Sequence, residues 1–173
     1  MRFMSHKIIS KCLYPLVAVF ALLGIAGTAQ AAIYIKYDGL DGESKDKDHK
    51  SWSDLLSFDQ SSIPQAAKDQ QRTKGETTLG DIVVRKYVDS TTDALFSGFR
   101  NQEIFSRVEI DFCEPDITSP EEENCYLHYE LEKVLITSYE TSASSGDERA
   151  QENMTISFKE IEREYFSPSP RTP

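Results

Sequence analysis

Apolar and polar residues alternate with a period of two in several separate stretches, the pattern of strands with one buried face. The first is Ile-Tyr-Ile-Lys-Tyr at 33–37, closed by an Asp-Gly-Leu-Asp-Gly turn at 38–42. A second, less regular stretch covers 52–58 after a charged loop at 43–50, and a third covers 81–88. Between these two, 59–78 is rich in Gln, Ser, Lys and Asp and carries little apolar periodicity. It reads as a long exposed loop, with room for one short helical turn around 64–71. Loops of that length in compact domains are usually functional or disordered rather than neutral connectors.

After the third strand the period changes. Asp89, Ser90, Thr91 and Thr92 offer N-cap side chains, and Ala94, Leu95, Phe96 and Phe99 then recur at helical spacing up to Gln102. The spacing predicts the one substantial helix, with Leu95 and Phe99 as its buried stripe. Residues 104–112 form the cleanest strand: Val108, Ile110 and Phe112 share one face, and Arg107, Glu109 and Asp111 the other. In the next strand, 126–139, Leu127, Tyr129 and Leu131 are in phase, but Val134 and Ile136 are not. A side-chain period of two cannot change parity unaided, so a bulge or sharp bend is expected near Glu132 and Lys133. A last strand at 154–165 behaves alike, with Met154, Ile156 and Phe158 in phase and Ile161 and Tyr165 out of it. Long, bent strands of this kind turn the corners of small barrels and orthogonal sandwiches. The fold expected is mainly β: a small β-barrel of two packed antiparallel sheets with one flanking α-helix.

Residues 1–31 stand apart from this domain. Arg2, Lys7 and Lys11 make a positive start, 13–26 is an apolar run broken by Tyr14, Pro15 and Gly24, and Ala29-Gln-Ala31 is an A-x-A site. That layout is a secretory signal peptide, cleaved between Ala31 and Ala32. The alternative, an uncleaved membrane anchor, would need roughly 18–20 apolar residues. The division expected is therefore signal peptide 1–31, barrel domain 32–166, and a Pro-rich mobile tail at 167–173. Cleavage removes three basic residues and no acid, since none precedes Asp38, and takes the formal charge from −10 to −13. So acidic a protein lacks the clustered Lys and Arg of a nucleic-acid or anionic-membrane surface. A secreted or periplasmic location follows from the signal.

Export also bears on the cysteines. Cys113 and Cys125 flank an acidic, turn-forming segment between two strand-like stretches. In an oxidising compartment the leading reading is a disulfide at the base of a hairpin, the alternative being two separate buried thiols. A zinc site is not expected, because no second Cys or His pair lies nearby in sequence to complete four ligands. The acids Asp38, Asp41, Glu43, Asp46 and Asp48 lack the order of a calcium loop. His6 leaves with the signal, His49 lies in a charged loop and His128 alternates with outward-facing residues. No nucleophile sits beside a base, and no Gly-rich phosphate loop is present. No catalytic residue, metal ligand or cofactor is assigned.

Four motifs together resemble one family. They are Gly42-Glu-Ser-Lys-Asp-Lys47 with His49, Arg85-Lys-Tyr-Val-Asp89 running into a Ser/Thr-rich helix start, Gly146-Asp-Glu-Arg149, and Glu152-Asn-Met-Thr-Ile-Ser-Phe158. In content and order they are similar to the haemolysin-coregulated protein (Hcp) family, the tube subunits of bacterial type VI secretion. The resemblance implies a non-enzymatic structural protein whose subunits close head-to-tail into a six-fold ring, the heterologous cyclic case. It further implies rings stacking into a tube, effector or secretion-apparatus proteins as partners, and a 59–78 loop that reaches toward neighbouring subunits. A signal peptide and a Cys113–Cys125 segment depart from that family's pattern. They leave open a periplasmic or secreted binding module that keeps the fold outside a type VI tube.

Overall fold

The period-two stretches become strands whose alternate apolar residues face one interior. Ile35 and Tyr37, Ile82 and Val84, Val108 and Ile110, and Met154 and Ile156 are all buried in a single core cluster. The computed structural model describes residues 31–64, 77–115 and 123–167. The elements are β1 (Ala32–Tyr37), β2 (Ser53–Pro64), β3 (Thr77–Tyr87), α1 (Thr92–Asn101), β4 (Ile104–Pro115), β5 (Glu123–Ser142), β6 (Gln151–Ser157) and β7 (Glu160–Tyr165). All pairings are antiparallel, in the order β4-β1-β2-β3-β6-β5-β7, and a further β4–β5 pairing closes the first six strands on themselves. This is the β-barrel with one flanking helix that the alternation and the resemblance implied. Closure gives each of the six strands two neighbours and so removes their free edges.

β5 is long enough to serve two partners on one side. Its C-terminal half pairs with β6, and residues 127–132 pair with β7. The change of partner falls where the apolar parity of β5 switches, from Tyr129 and Leu131 to Val134 and Ile136. Lys133 sits there with φ 52°, a left-handed backbone that turns the strand. The β4 register is continuous across this point, with Phe105 opposite Val134 and Val108 opposite Leu131. Both strands therefore switch parity together, and the expected irregularity is a bend shared by two strands.

Two expectations are corrected. The stretch 59–78 is not all loop, because β2 extends to Pro64 and β3 begins at Thr77. Its ladder, with Gln60 opposite Ile82 and Ser62 opposite Leu79, is held by main chain. Asp59, Leu79 and Asp81 are exposed there, so these positions add no apolar signal for periodicity to reveal. Residues 65–76, including most of the expected helical turn, lie outside the described residues, as do residues 1–30 of the expected signal peptide and the expected tail from 168. The second correction is that 154–165 is two strands. Phe158 and Lys159 separate β6 from β7, and the Lys159 N–H donates to the Glu132 carbonyl at 3.0 Å, opposite the β5 bend.

The helix packs on β5 through Leu95 and Phe99, as its spacing predicted, with Tyr139 against the Phe96 and Phe99 rings. Gly98 is required by close approach: a Cβ there would lie 2.8 Å from the Phe105 ring. Gln102 ends the helix in the left-handed region, and the Glu103 N–H returns to the Gly98 carbonyl at 2.9 Å.

β7 places like charges face to face, Glu162 opposite Glu130 and Glu160 opposite Glu132. Directly opposed like charges destabilise a sheet by roughly 0.2–1 kcal/mol. Substituting Glu162→Gln should therefore raise the urea midpoint at low ionic strength, and the gain should shrink as salt screens the pair. A midpoint that falls, or a gain that salt does not change, would contradict this account.

Candidate functional site

Three loops meet at one end of the barrel: β1–β2, β3–α1 and β5–β6. The Ser90 hydroxyl donates to the Asp41 carbonyl at 2.6 Å, and Arg149 reaches both the Val88 carbonyl and Glu43. Gly42 is the pivot of the first loop. A Cβ there would stand 2.3 Å from the Trp52 carbonyl oxygen, so no other residue fits. These loops frame a cleft of about 280 Å³ lined by Glu43, Lys45, Asp54, Tyr87 and Arg149 among others.

Beneath this surface lies a buried charged network. Lys86 and Glu152 are both 0% exposed. The Lys86 ammonium donates to Asp89 at 2.7 Å and to the Tyr87 carbonyl at 2.9 Å, and stands 3.5 Å from the Glu152 carboxylate. Asp89 also accepts from the Thr91 N–H and hydroxyl, while the Thr92 hydroxyl donates to Glu152. One cation thus ties β3, β6 and the start of α1 together. Burial works to raise the Asp89 pKa, but hydrogen bonds led by that from Lys86 outweigh it and hold the carboxyl below its ordinary value. Tyr37 and Tyr139 flank the network, and burial beside Glu152 pushes both phenols above their ordinary range. Every charge here is engaged by an opposite one, which makes the network a strut rather than an acid–base pair.

A second cluster forms around His49, which is 4% exposed. Its Nδ1–H donates to Asp46 at 2.7 Å and its Nε2–H to Asp111 at 3.0 Å, while Asp111 also accepts from His128. Burial opposes a charge on His49, but the hydrogen bonds to these two carboxylates outweigh it and raise its pKa above the ordinary value. The ring stacks on Tyr34 with centroids 4.1 Å apart and meets the edge of Trp52 at 5.0 Å.

Cys113 and Cys125 face each other across β4 and β5, with sulfurs 2.04 Å apart and Cα atoms 3.8 Å apart. A register shift after Phe112 brings them opposite. His49 Nε2 lies 3.9 Å from the Cys113 sulfur and 3.7 Å from that of Cys125. The count of possible metal ligands made from the sequence thus omitted His49, which the fold carries to the sulfurs from far along the chain. Ala32 is the first residue of β1, paired with Cys113, and Ala31 precedes it. The acids weighed for calcium go to separate partners: Asp41 to Lys36, Glu43 to Arg149, Asp46 to His49 and Asp48 to Lys47. His128, expected outward, is half-buried against Asp111.

Lys86 and Glu152 were not singled out as charged pairs by their sequence, yet each carries a signal. Lys86 is in phase with Ile82 and Val84, and Glu152 with Met154 and Ile156, so both charges stand on an apolar face.

Residues 34–165 match the family described as the type VI secretion system effector Hcp. The chain belongs to the Hcp family. Among its Hcp relatives is Protein hcp1 of Pseudomonas aeruginosa, 27% identical over 135 residues, which are 77% of this chain and 82% of that protein. A solved structure described as a type six secretion system protein matches with TM-score 0.69 and 27% identity, over 79% of this chain and 84% of its own. Hcp1 from Salmonella typhimurium shares the fold at TM-score 0.62 and 21% identity, over 79% of this chain and 86% of its own. No helix among the described residues is long and apolar enough to cross a membrane.

Proposed function

We propose that this Hcp-family chain is a non-enzymatic structural and interaction protein that acts as a homohexameric ring, exported by its N-terminal segment. The observation that carries this reading is the extent of the family match. It spans nearly the whole barrel, including the loops at 38–52, 88–91 and 143–150. The charged clusters support a structural role, since Lys86, Glu152 and Asp89 are spent on holding elements together. Leu56, Tyr87, Phe96 and Ile104 are exposed on different elements, as a ring that joins two unlike patches of one subunit requires. Stacked rings would form a tube, with effector or secretion-apparatus proteins as its partners.

Salt is the informative variable. Subunits with an excess of acid repel one another, and a Debye length of about 10 Å at 0.1 M leaves only close charges unscreened. Association through apolar and backbone contacts should therefore strengthen as ionic strength rises. Native mass spectrometry and light scattering across salt and concentration should find hexamers. A monomer at tens of micromolar in high salt would remove the ring. The apolar segment before Ala32 and the facing cysteines would then favour an exported binding module that keeps the barrel alone.

A further inference from the structure

We propose that reduction of the Cys113–Cys125 disulfide opens a site for zinc or a zinc-like divalent cation, with Cys113, Cys125 and His49 as its protein ligands and a fourth position left to water. This goes beyond the ring reading and does not rest on it. Zn²⁺ takes thiolate at about 2.3 Å and imidazole nitrogen at about 2.0–2.1 Å in a tetrahedron, so its nitrogen and sulfur ligands stand roughly 3.6 Å apart. His49 Nε2 is already 3.7 and 3.9 Å from the two sulfurs, and Asp111 Oδ2 is 3.0 Å from the same nitrogen. The donor atoms of His49, Cys113 and Cys125 lie within 4.8 Å of one another. The S–S bond holds the two sulfurs too close together to bind one ion, and side-chain rotation of the two cysteines would separate them once it is broken.

The surroundings fit a metal ligand as well as the first contacts do. A zinc-bound histidine almost always gives its other ring N–H to a carboxylate, which fixes the ring's orientation and tautomer. Asp46 accepts that hydrogen bond from Nδ1 at 2.7 Å, while Tyr34 and Trp52 hold the ring from its face and edge. His128 steadies the other oxygen of Asp111. A cleft of about 420 Å³ lined by Tyr34, Ser44, Asp46 and Leu55 opens beside the cluster and offers a way in.

The chemistry balances with a dithiol as reductant. Two electrons and two protons pass from the dithiol to the protein, the S–S bond breaks, two thiols form, and the dithiol becomes a cyclic disulfide. Zn²⁺ then displaces the two thiol protons and the His49 Nε2 proton to solvent as it binds. In reverse, one hydrogen peroxide and two protons convert the zinc dithiolate into the disulfide, free Zn²⁺ and two waters. The site would therefore hold metal in a reducing setting and release it on oxidation.

Cobalt(II) is the direct probe, titrated into the full-length chain after reduction by a phosphine, in a Cys12→Ser background that removes the third thiol. Reduced protein should bind one equivalent with thiolate charge-transfer and tetrahedral ligand-field absorption, and should quench Trp52, the chain's single tryptophan. Disulfide-form protein should show neither signal. Cys125→Ser and His49→Gln should each weaken binding at least tenfold, and Asp46→Asn roughly 10–100-fold. Hydrogen peroxide should release one zinc per chain to a chromogenic chelator. A reduced, folded protein that takes up no cobalt at tens of micromolar overturns the proposal, as does a His49→Gln variant that binds as tightly as its parent. Should reduction unfold the chain, one equivalent of zinc must restore its circular dichroism; failure to do so is equally fatal.

Discussion

Replacing Lys86 with methionine is expected to lower the stability of the barrel by about 3–5 kcal/mol, a large share of what a domain of this size has. The substitution keeps the aliphatic stem and removes the one cation that, among the described residues, stands between Asp89 and Glu152. What remains is two carboxylates in a buried place, one against the start of α1 and one on the core face of β6, with hydroxyl donors but no opposing charge. Leaving a buried charge uncompensated costs more than the pair itself contributes, so the double variant Lys86→Met with Glu152→Leu should recover part of the loss. Acid sensitivity supplies a second readout. The Asp89 carboxyl is held below its ordinary value, so its contribution is fully present above the unfolded carboxylate pKa of about 3.9 and is lost as pH falls through the folded value. Tyr37, Tyr139 and Glu152 face the same network but add no cation, so Lys86 decides the sign. Urea melts from pH 7 downward should show a decline below about pH 4 in the parent and a flatter one in Lys86→Met. A loss under 1 kcal/mol with an unchanged acid limb would mean that Lys86 is not the strut described.

Why Lys86 escapes a reading of the sequence while the barrel does not is a matter of what periodicity measures. Alternation at Val108 and Ile110, or at Met154 and Ile156, reports which face is buried, and the parity switch at Glu132 and Lys133 reports a corner, because both are local consequences of a period of two. A charge on the buried face looks like an interruption of the pattern until its partner is known. Lys86 and Glu152 are 66 residues apart in the numbering, and only the β3–β6 register, which sets them directly opposite, makes them one feature. His49 is harder still: it stands in a loop, where no period exists to break, and reaches Asp111 and both sulfurs through tertiary closure. The extended ends of β2 and β3 were illegible for the opposite reason, since their sequence is polar and their ladder is a matter of main-chain pairing.

The motifs that carry the family resemblance are, in the fold, the residues that hold its loops and charges in place. Gly42 admits the Trp52 carbonyl, Arg149 joins two loops, and Lys86, Asp89 and Glu152 fasten the helix to the barrel. Short motifs scattered along a chain become specific when they meet at one end of a structure, which is why four weak signals point to the same family as a match over residues 34–165.

Loss of the Cys113–Cys125 bond should cost about 3 kcal/mol and lower the melting temperature of the chain by roughly 10 °C. Non-reducing peptide mapping of the purified protein comes first and should recover the two cysteines as one linked peptide. The bond closes a loop with a sequence separation of 12, and in the chain-entropy account its effect lies in the unfolded state, whose freedom it restricts. Reduction without substitution tests that term alone, because it deletes no atom of either side chain. The double variant Cys113→Ala with Cys125→Ala removes them, and since Cys113 is fully buried it should lose more than the reduced parent, by the packing of a deleted atom. Zinc separates the two cases further: one equivalent should restore stability to the reduced parent by closing the same loop through metal, and should do nothing for the double alanine variant. The ordering expected is therefore disulfide form, reduced form with zinc, reduced form, double alanine. Equal melting temperatures for the disulfide and reduced forms without metal would show that the β4–β5 ladder alone sets the stability of this hairpin.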